Sequence, residues 1–231
     1  MEKAETGSFL EKYLTPIAVL VGALIIAGAF AFGRGDTAPL AQQGQQPAKV
    51  ANIADVKTND SPSIGNKNAP ETMAVWFDYQ CGFCKKFDEE TIAQLKTSHV
   101  DTGKLRIVFK DFQFFPGSED VGVFGRAMWE AYPDQYYAWF SGVMALPAGE
   151  GSGLTVARVK DVAAGITGVD ANRVEELATE NRAKYIAAIQ ADREEGGVFG
   201  ITGTPASIVG KQLLEGAQPY ATVSAAVDAG S

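Results

Sequence analysis

The pattern of apolar residues divides the chain into an apolar N-terminal segment, a polar stretch and a long region of mixed pattern. Residues 14–32 read LTPIAVLVGALIIAGAFAF and contain no charged side chain. As a helix this segment would be roughly 28 Å long, close to the bilayer hydrocarbon thickness of about 30 Å. We therefore predict a transmembrane anchor at 14–32 after an N-terminal tail at 1–13. The alternative is a signal peptide, because Ala29-Phe30-Ala31 resembles a cleavage site.

Residues 33–50 contain glycine, proline and glutamine but no aromatic side chain. Such a segment cannot bury enough apolar surface to offset the entropy of ordering, so we predict a flexible linker. Residues 51–231 form the predicted soluble domain. The preceding residues balance their charges, so this domain carries the whole net charge of −8. An acidic surface repels phosphate backbones, and we expect no nucleic-acid partner.

The first clear pattern of the domain is a strand followed directly by a helix. Residues 72–79 (TMAVWFDY) are rich in β-branched and aromatic side chains, which predicts a buried strand. After Cys81, apolar or small side chains recur at helical spacing at Cys84, Phe87, Thr91, Ile92 and Leu95. The other faces of this predicted helix carry Lys85, Lys86, Asp88 and Glu89. Cys81 is therefore predicted to lie at the junction between strand and helix.

Further strands are predicted at 105–109, 206–209 and 212–214, with a turn at Gly210 and a closing helix near 223–227. Between them, helical periodicity indicates an insert at about 116–195, with helices at 118–131, 134–146, 155–165 and 171–195. The candidate N-caps of these helices are Ser118, Asp134, Thr155 and Asp170. The fold class is thus α/β. We interpret the aromatic cluster between Trp129 and Phe140 as core of the insert.

The spacing of Cys81 and Cys84 is typical of a redox pair, but also of half a metal site or of two buried thiols. A structural zinc site needs four ligands, and the chain has one histidine, His99, to add to the cysteines. Carboxylate ligands or a metal shared between two chains would be needed to complete it. We interpret His99 as a surface residue at a helix end and expect no metal.

The predicted junction favours redox chemistry. A thiol at a helix N-cap faces unpaired amides and the positive end of the helix dipole, which stabilise its thiolate. Cys81 is therefore the predicted nucleophile. Cys84, one turn further, is predicted to be more buried and to act as the resolving thiol. Gly82 permits a tight entry into the helix, and Phe83 places an apolar ring beside the sulfur of Cys81.

Several segments together carry a family resemblance. They are SIGNKNAPETMAVWFDYQCGFCKKF from residue 63, FKDF at 109–112, GITGTPASIVG at 200–210 and GAQPY at 216–220. In this order they resemble the membrane-anchored or secreted DsbA-like thiol-disulfide oxidoreductases of the BdbD type. The resemblance covers the chain from about residue 63 to its end.

This resemblance implies a thioredoxin fold interrupted by a helical domain, which the transmembrane helix predicted from the apolar run at 14–32 would precede. It implies that Pro205 is a cis-proline packed against the Cys81–Cys84 disulfide, and that the backbone of Thr204 pairs with an extended substrate chain. Gly82 and Phe83 would also contact the substrate. The expected partners are unfolded or reduced extracytoplasmic proteins and a membrane redox partner that regenerates the disulfide. We expect no cofactor and a monomer.

The chain departs from that family at two places. Relatives commonly have a glutamate six residues before the first cysteine, where this chain has Val75, so proton transfer would have to use water or Asp78. Strongly oxidising members have a histidine between the cysteines, where this chain has Gly82 and Phe83. A milder oxidant, or even a reductant, is therefore expected.

The resulting hypothesis is a disulfide donor at the cell membrane, anchored by a single span with its catalytic domain on the extracytoplasmic side. One alternative is a reductase or isomerase of the same fold. Another is a chaperone-like binding module without redox activity, and a third is a metal-bridged dimer. The sequence leaves the direction of electron flow open.

Overall fold

The computed structural model describes residues 49–147 and 153–230. The predicted tail at 1–13, the predicted anchor at 14–32 and the predicted linker up to residue 48 lie outside the described residues. Within the described ranges, no helix combines the length and the apolar character needed to cross a bilayer. Lys49 and Val50 form a strand, so the sheet begins just before the predicted start of the domain.

The described residues form a mixed six-stranded sheet with the order β1-β6-β5-β3-β4-β2. Its strands are β1 (Lys49–Val50), β2 (Ser63–Ile64), β3 (Glu71–Phe77), β4 (Leu105–Asp111), β5 (Ala206–Val209) and β6 (Gln212–Glu215). β3 pairs in parallel with β4 and antiparallel with β5. The predicted hairpin is confirmed, with β5 and β6 joined through Gly210, whose φ of 55° suits a glycine. The short edge strands β1 and β2 were not predicted.

β3 is buried on both faces of the sheet, as its sequence predicts. Met73, Val75 and Phe77 belong to the larger apolar core. Ala74 and Trp76 point to the opposite face and belong to a second, smaller core. Because alternate side chains of a strand point to opposite faces, an unbroken apolar run requires cover on both sides.

The described residues contain seven helices besides two short 3-10 turns, and the sequence predicts six. Helix α1 starts with an α-helical segment at Gly82–Phe87, followed by a π-helical segment at Asp88–Ile92, an α-helical turn at Ala93–Leu95 and a second π-helical segment at Lys96–Val100. The others are α2 (Ser118–Ala131), α3 (Tyr136–Met144), α4 (Val156–Ala164), α5 (Ala171–Glu180), α6 (Arg182–Val198) and α7 (Tyr220–Asp228). Helices α2–α6 lie between β4 and β5, which confirms a helical region inserted into the α/β fold.

The helix boundaries differ from the prediction at three places. The helix predicted at 171–195 is two helices, because Asn181 leaves the helical conformation at φ −104° and ψ 16°. Thr155 and Asp170 cap their helices as predicted. Ser118 is not an N-cap, since Gly117 with φ 82° occupies that position in α2. Asp134 lies in the short 3-10 helix Pro133–Gln135 that precedes α3.

A buried charge cluster attaches the helical insert to the sheet. The Nε of Arg126, on α2, lies 2.6 Å from Oδ2 of Asp111 at the end of β4. The same guanidinium pairs with Asp192 on α6, and Lys110 on β4 pairs with Asp192 as well. All four side chains are almost completely buried. The cluster therefore fixes α2 and α6 against β4.

The aromatic residues of the insert form core, as interpreted from the sequence. Tyr136, Trp139 and Phe140 are buried. The ring centroid of Phe140 lies 4.6 Å from that of Phe109 on β4 and 4.9 Å from that of Phe77 on β3. This packing joins α3 to the centre of the sheet.

The interpretation of His99 as a surface residue is wrong. Its side chain lies at the end of α1 but is buried, with Nδ1 at 2.7 Å from Oγ of Ser98 and Nε2 at 3.3 Å from Oδ1 of Asp228. Helix α7, which carries Asp228, covers this end of α1. The burial of His99 depends on that long-range contact and not on its own helix.

Candidate active site

Cys81 lies at the predicted junction between a buried strand and a helix. β3 ends at Phe77, and Cys81 is the N-cap of α1 with extended backbone angles of φ −76° and ψ 116°. Its carbonyl oxygen accepts hydrogen bonds from the amides of Cys84 and Lys85, at 3.0 and 3.1 Å. These bonds start the helix, and they leave the amides of its first turn facing the side chain of Cys81.

The turn between β3 and Cys81 is held by the carboxylate of Asp78. Its Oδ1 accepts hydrogen bonds from the amide of Gln80 at 2.8 Å and from Oγ of Ser118 at 2.6 Å. Its Oδ2 accepts from the amides of Phe114 and Phe115, at 2.8 and 3.1 Å. A buried side chain thus positions the cysteine turn against the loop that precedes α2.

The sulfur of Cys81 has a surrounding that favours its thiolate. A hydrogen bond donated by the thiol of Cys84 is the largest cause that lowers the pKa of Cys81, to about 6. The amides of Cys84 and Phe83 lower this pKa further, while partial burial opposes them. In the thiol form, Sγ of Cys81 donates to the carbonyl oxygen of Thr204 at 3.3 Å.

The groups around Cys84, one helical turn further into the core, disfavour its thiolate. Burial raises the pKa of its thiol well above the ordinary value, and the hydrogen bond to Cys81 raises it further. The exposed fractions of the two residues are similar, 5% for Cys81 and 3% for Cys84. The hydrogen bond between the two thiols, the burial of Cys84 and the amides that face Cys81 therefore separate the two pKa values.

The predicted substrate-binding residues surround Cys81. Gly82 and Phe83 are exposed, and the side chain of Phe83 is 68% accessible. Thr204 is half-buried, Pro205 is buried, and the peptide bond between them is cis. The structure brings these four residues together with the cysteines.

Sequence reasoning missed one exposed aromatic residue in this region. Phe114 is 46% accessible and lies in the loop that Asp78 binds through two amides. In the same loop, the carbonyl oxygen of Pro116 accepts a hydrogen bond from Nε2 of Gln80, at 2.6 Å. Residues 112–116 follow a strand and include several apolar side chains, but their return to the cysteine turn depends on contacts between distant residues.

Asp88 was also missed, because the sequence places it with the polar faces of α1. It is 2% exposed, and α3 covers it. Oγ of Ser141 donates to its carboxylate at 2.8 Å, and Oη of Tyr137 donates at 3.1 Å. The helical spacing held a signal, since Asp88 lies four residues after the buried Cys84 and therefore on the same helix face.

The structure shows how the residues considered as metal ligands are placed. His99 contacts Ser98 and Asp228, as described for the end of α1. In the described part of the chain, no group of three or more histidine, cysteine, aspartate or glutamate side chains is placed to hold a metal ion.

Comparison with known proteins adds a family match. A family model described as Thioredoxin matches residues 57–229. A probable disulfide bond formation protein D of Bacillus cereus is 27% identical over 79 residues, which cover 34% of this chain and 37% of that protein. The match therefore spans little more than a third of the length of that relative. Disulfide bond formation protein D of Bacillus subtilis is 20% identical over 72% of this chain and 75% of its own.

Solved structures show the same fold. BdbD from Bacillus subtilis in its oxidised form has a TM-score of 0.68 at 20% identity, covering 80% of this chain and 98% of that one. The thiol-disulfide exchange protein alpha-DsbA2 from Wolbachia pipientis has a TM-score of 0.66 at 24% identity, with coverage of 74% and 87%. DsbA of Chlamydia trachomatis has a TM-score of 0.66 at 18% identity, with coverage of 75% and 93%. The expected thioredoxin fold with a helical insert is thereby confirmed.

Proposed function

Since the chain belongs to the thioredoxin family, whose model spans residues 57–229, we propose that it is a thiol-disulfide oxidoreductase acting through Cys81 and Cys84. One observation carries this proposal: two neighbouring thiols have opposite pKa shifts, lowered at Cys81 and raised at Cys84. A thiolate is the attacking and leaving species in disulfide exchange, so this asymmetry assigns different roles to the two sulfurs.

The proposed reaction begins with the Cys81–Cys84 disulfide. A substrate thiolate attacks the sulfur of Cys81, forms a mixed disulfide and displaces Cys84, which takes up a proton. A second substrate thiolate then attacks the substrate sulfur of the mixed disulfide and releases Cys81 as a thiolate. The substrate loses two electrons and gains a disulfide, while the protein gains two electrons and leaves as the dithiol.

The surface around Cys81 is proposed to bind an unfolded or reduced protein chain. The exposed residues Gly82 and Phe83 directly follow Cys81 in the chain. The carbonyl oxygen of the half-buried Thr204, which precedes the buried Pro205, lies 3.3 Å from Sγ of Cys81. An extended chain can pair with backbone at Thr204 and place an apolar side chain against Phe83.

The oxidising direction requires an oxidising compartment and a partner that regenerates the disulfide. We propose that residues 14–32 anchor the protein in the cell membrane by a single span, with a monomeric catalytic domain on the extracytoplasmic side. The uncharged run of these residues supports the anchor. Protease added to intact cells should degrade the domain, and its protection there would refute this topology.

The mechanism is tested by trapping. Without Cys84, the mixed disulfide at Cys81 cannot return to the internal disulfide, so Cys84→Ala should accumulate covalent complexes with substrate proteins. They should disappear on reduction and be absent from the matched Cys81→Ala variant. Non-reducing electrophoresis of cells expressing each variant measures them. Equal complexes from both variants, or none from Cys84→Ala, would contradict the proposal.

Equilibration of the full chain with glutathione buffers determines the direction of electron flow. A couple more oxidising than the glutathione pool supports a disulfide donor, and a more reducing one indicates a reductase. Full biological activity of the double variant Cys81→Ala, Cys84→Ala would instead indicate a binding module.

A further inference from the structure

In the proposed exchange, Cys84 changes its protonation state in a buried place. When a substrate thiolate attacks Cys81, Cys84 leaves as a thiolate and takes up a proton. Cys84 must lose this proton before it can attack the mixed disulfide at Cys81. The residue is 3% exposed, and burial disfavours its charged form. Direct exchange with bulk water is therefore hindered, and an internal group that gives and takes a proton would speed both steps.

Asp88 is placed one helical turn after Cys84. Its backbone amide donates to the carbonyl oxygen of Cys84, so the two residues have an α-helical relation. Side chains four residues apart lie on the same helix face, with Cβ atoms roughly 5–6 Å apart. Asp88 is 2% exposed, so its side chain is buried, as is that of Cys84.

Cys84 and Asp88 both line one small cavity. Its other lining residues are apolar, among them Val75 and Pro205. Its volume of about 10 Å³ is close to the minimum that holds one water molecule. Among the residues that line this cavity, Asp88 is the one besides Cys84 whose side chain can exchange a proton. A single water molecule in the cavity could relay that proton.

The other carboxylate near the cysteines, Asp78, is bound differently. Its two oxygens accept four hydrogen bonds, two of them from backbone amides. A carboxylate has about four acceptor positions, so protonation of Asp78 would break a bond that holds the cysteine turn. Asp88 accepts only from Ser141 and Tyr137 among the described residues, which leaves acceptor capacity for a proton. Asp78, a proton route considered from the sequence, is thus better suited to holding structure.

We propose that Asp88 is the proton-exchanging partner of Cys84, an inference that rests on the proposed function. When the internal disulfide opens, the S–S bond between Cys81 and Cys84 breaks and the carboxyl of Asp88 gives its proton to the leaving sulfur of Cys84. When the disulfide closes, the carboxylate of Asp88 takes the proton of Cys84. The sulfur of Cys84 then bonds to Cys81, and the substrate leaves as a thiolate.

The surroundings of Asp88 suit a group that exchanges protons. Burial raises its pKa, hydrogen bonds from Ser141 and Tyr137 lower it, and the adjacent charge of Glu89 raises it. The nearby cation Lys85 lies 3.7 Å from Glu89 and donates to the carbonyl of Ala145, at 2.9 Å. A carboxyl with a raised pKa is a better proton donor near neutral pH, since more of it is protonated there.

The first test is the rate of disulfide closure as a function of pH. The dithiol full chain would be mixed with oxidised glutathione, which forms a mixed disulfide with Cys81. The closure of this mixed disulfide by Cys84 would then be followed by acid quench and mass spectrometry. Asp88→Asn, of nearly equal shape, should slow closure at pH 7 by about 100-fold, the low end for general acid–base catalysis. Its rate should rise about tenfold per pH unit, because hydroxide must remove the proton. A wild-type rate and pH profile in this variant would overturn the inference.

A second variant keeps the test valid if Asp88→Asn folds poorly. Ser141→Ala removes a hydrogen bond that lowers the pKa of Asp88, so the acid limb of the closure profile should move to higher pH. Glu89→Gln, an exposed neighbouring carboxylate, is the matched control and should move the limb slightly to lower pH. A structural contact between α1 and α3 would predict no such shifts. An unchanged limb in Ser141→Ala would also overturn the inference.

The wild-type chain in the same experiment separates this inference from the proposed function. If the wild type neither forms nor closes the mixed disulfide, the proposed function fails. If the wild type reacts and Asp88→Asn reacts identically, the proposed function stands and only the role of Asp88 fails.

Discussion

The pKa of Cys81 should depend on the thiol of Cys84 as a hydrogen-bond donor. With a pKa of about 6, roughly 90% of Cys81 is thiolate at pH 7, against about 1% for a thiol at its ordinary value of 9.0. A hydrogen bond to a charged group contributes about 1.5–3 kcal/mol, and one pKa unit corresponds to about 1.4 kcal/mol. Cys84→Ala should therefore raise the pKa of Cys81 by about one to two units.

The matched variant Cys84→Ser keeps a donor hydroxyl of similar size, so its Cys81 should titrate closer to the wild type. In both variants Cys81 is the single remaining cysteine. The rise in absorbance at 240 nm on thiolate formation, and the pH dependence of alkylation by iodoacetamide, each report its pKa. If Cys81 has the same pKa in the two variants, the hydrogen bond from Cys84 does not lower the pKa of Cys81.

The same shift predicts a pH-dependent stability of the dithiol form. The folded-state pKa of Cys81 lies below its unfolded value, so the thiolate stabilises the fold above the unfolded pKa, and this contribution is lost as pH falls through about 6. Between pH 5 and pH 7 the free energy of unfolding should change by at most about 1.4 kcal/mol through this group, and solvent screening reduces this change. Urea unfolding of wild type and Cys81→Ser measures it as a pH-dependent difference, and a constant difference would refute it.

Two further predictions concern the core. Arg126→Met leaves Asp111 in a buried cluster without its cation and should lower the free energy of unfolding by about 3–5 kcal/mol, whereas Arg182→Met at an exposed ion pair should change it by about 1 kcal/mol or less. Gly125→Ala would bring its Cβ into a steric clash with Oη of the buried Tyr79 and should destabilise by about 1–3 kcal/mol. Urea unfolding measures both, and a neutral effect of either buried substitution would contradict the packing described.

The elements next to the cysteines could be predicted because their signals are local. The apolar run of β3 and the spacing of Cys84 and Phe87 fix the strand, the junction and the buried face of α1 without distant contacts. The helical insert followed from periodicity in the same way. The break at Asn181 and the two-residue strand β2 depend on single backbone conformations or on pairing across the sheet, which periodicity does not report.

The surroundings of the thiols could not be predicted to the same depth, because they are assembled from distant segments. Asp78 receives hydrogen bonds from the loop after β4, and Asp88 receives them from α3, both far along the sequence. The sequence indicates that α1 is amphipathic, but the packing of α3 against its polar side converts Asp88 from a solvated residue into a buried one.

The different chemistry of the two thiols follows from their position relative to one helix terminus. At the N-cap, the sulfur of Cys81 meets the amides of the first turn, which favour negative charge. Three residues on, the helix turns the sulfur of Cys84 into the core, where burial disfavours negative charge, and Asp88 follows one turn further along the same helix. A helix beginning one residue later would remove Cys81 from the N-cap and rotate Cys84 by about 100° relative to the core. The redox proposal therefore depends on the residue at which α1 begins, and the four hydrogen bonds of Asp78 help to fix that residue.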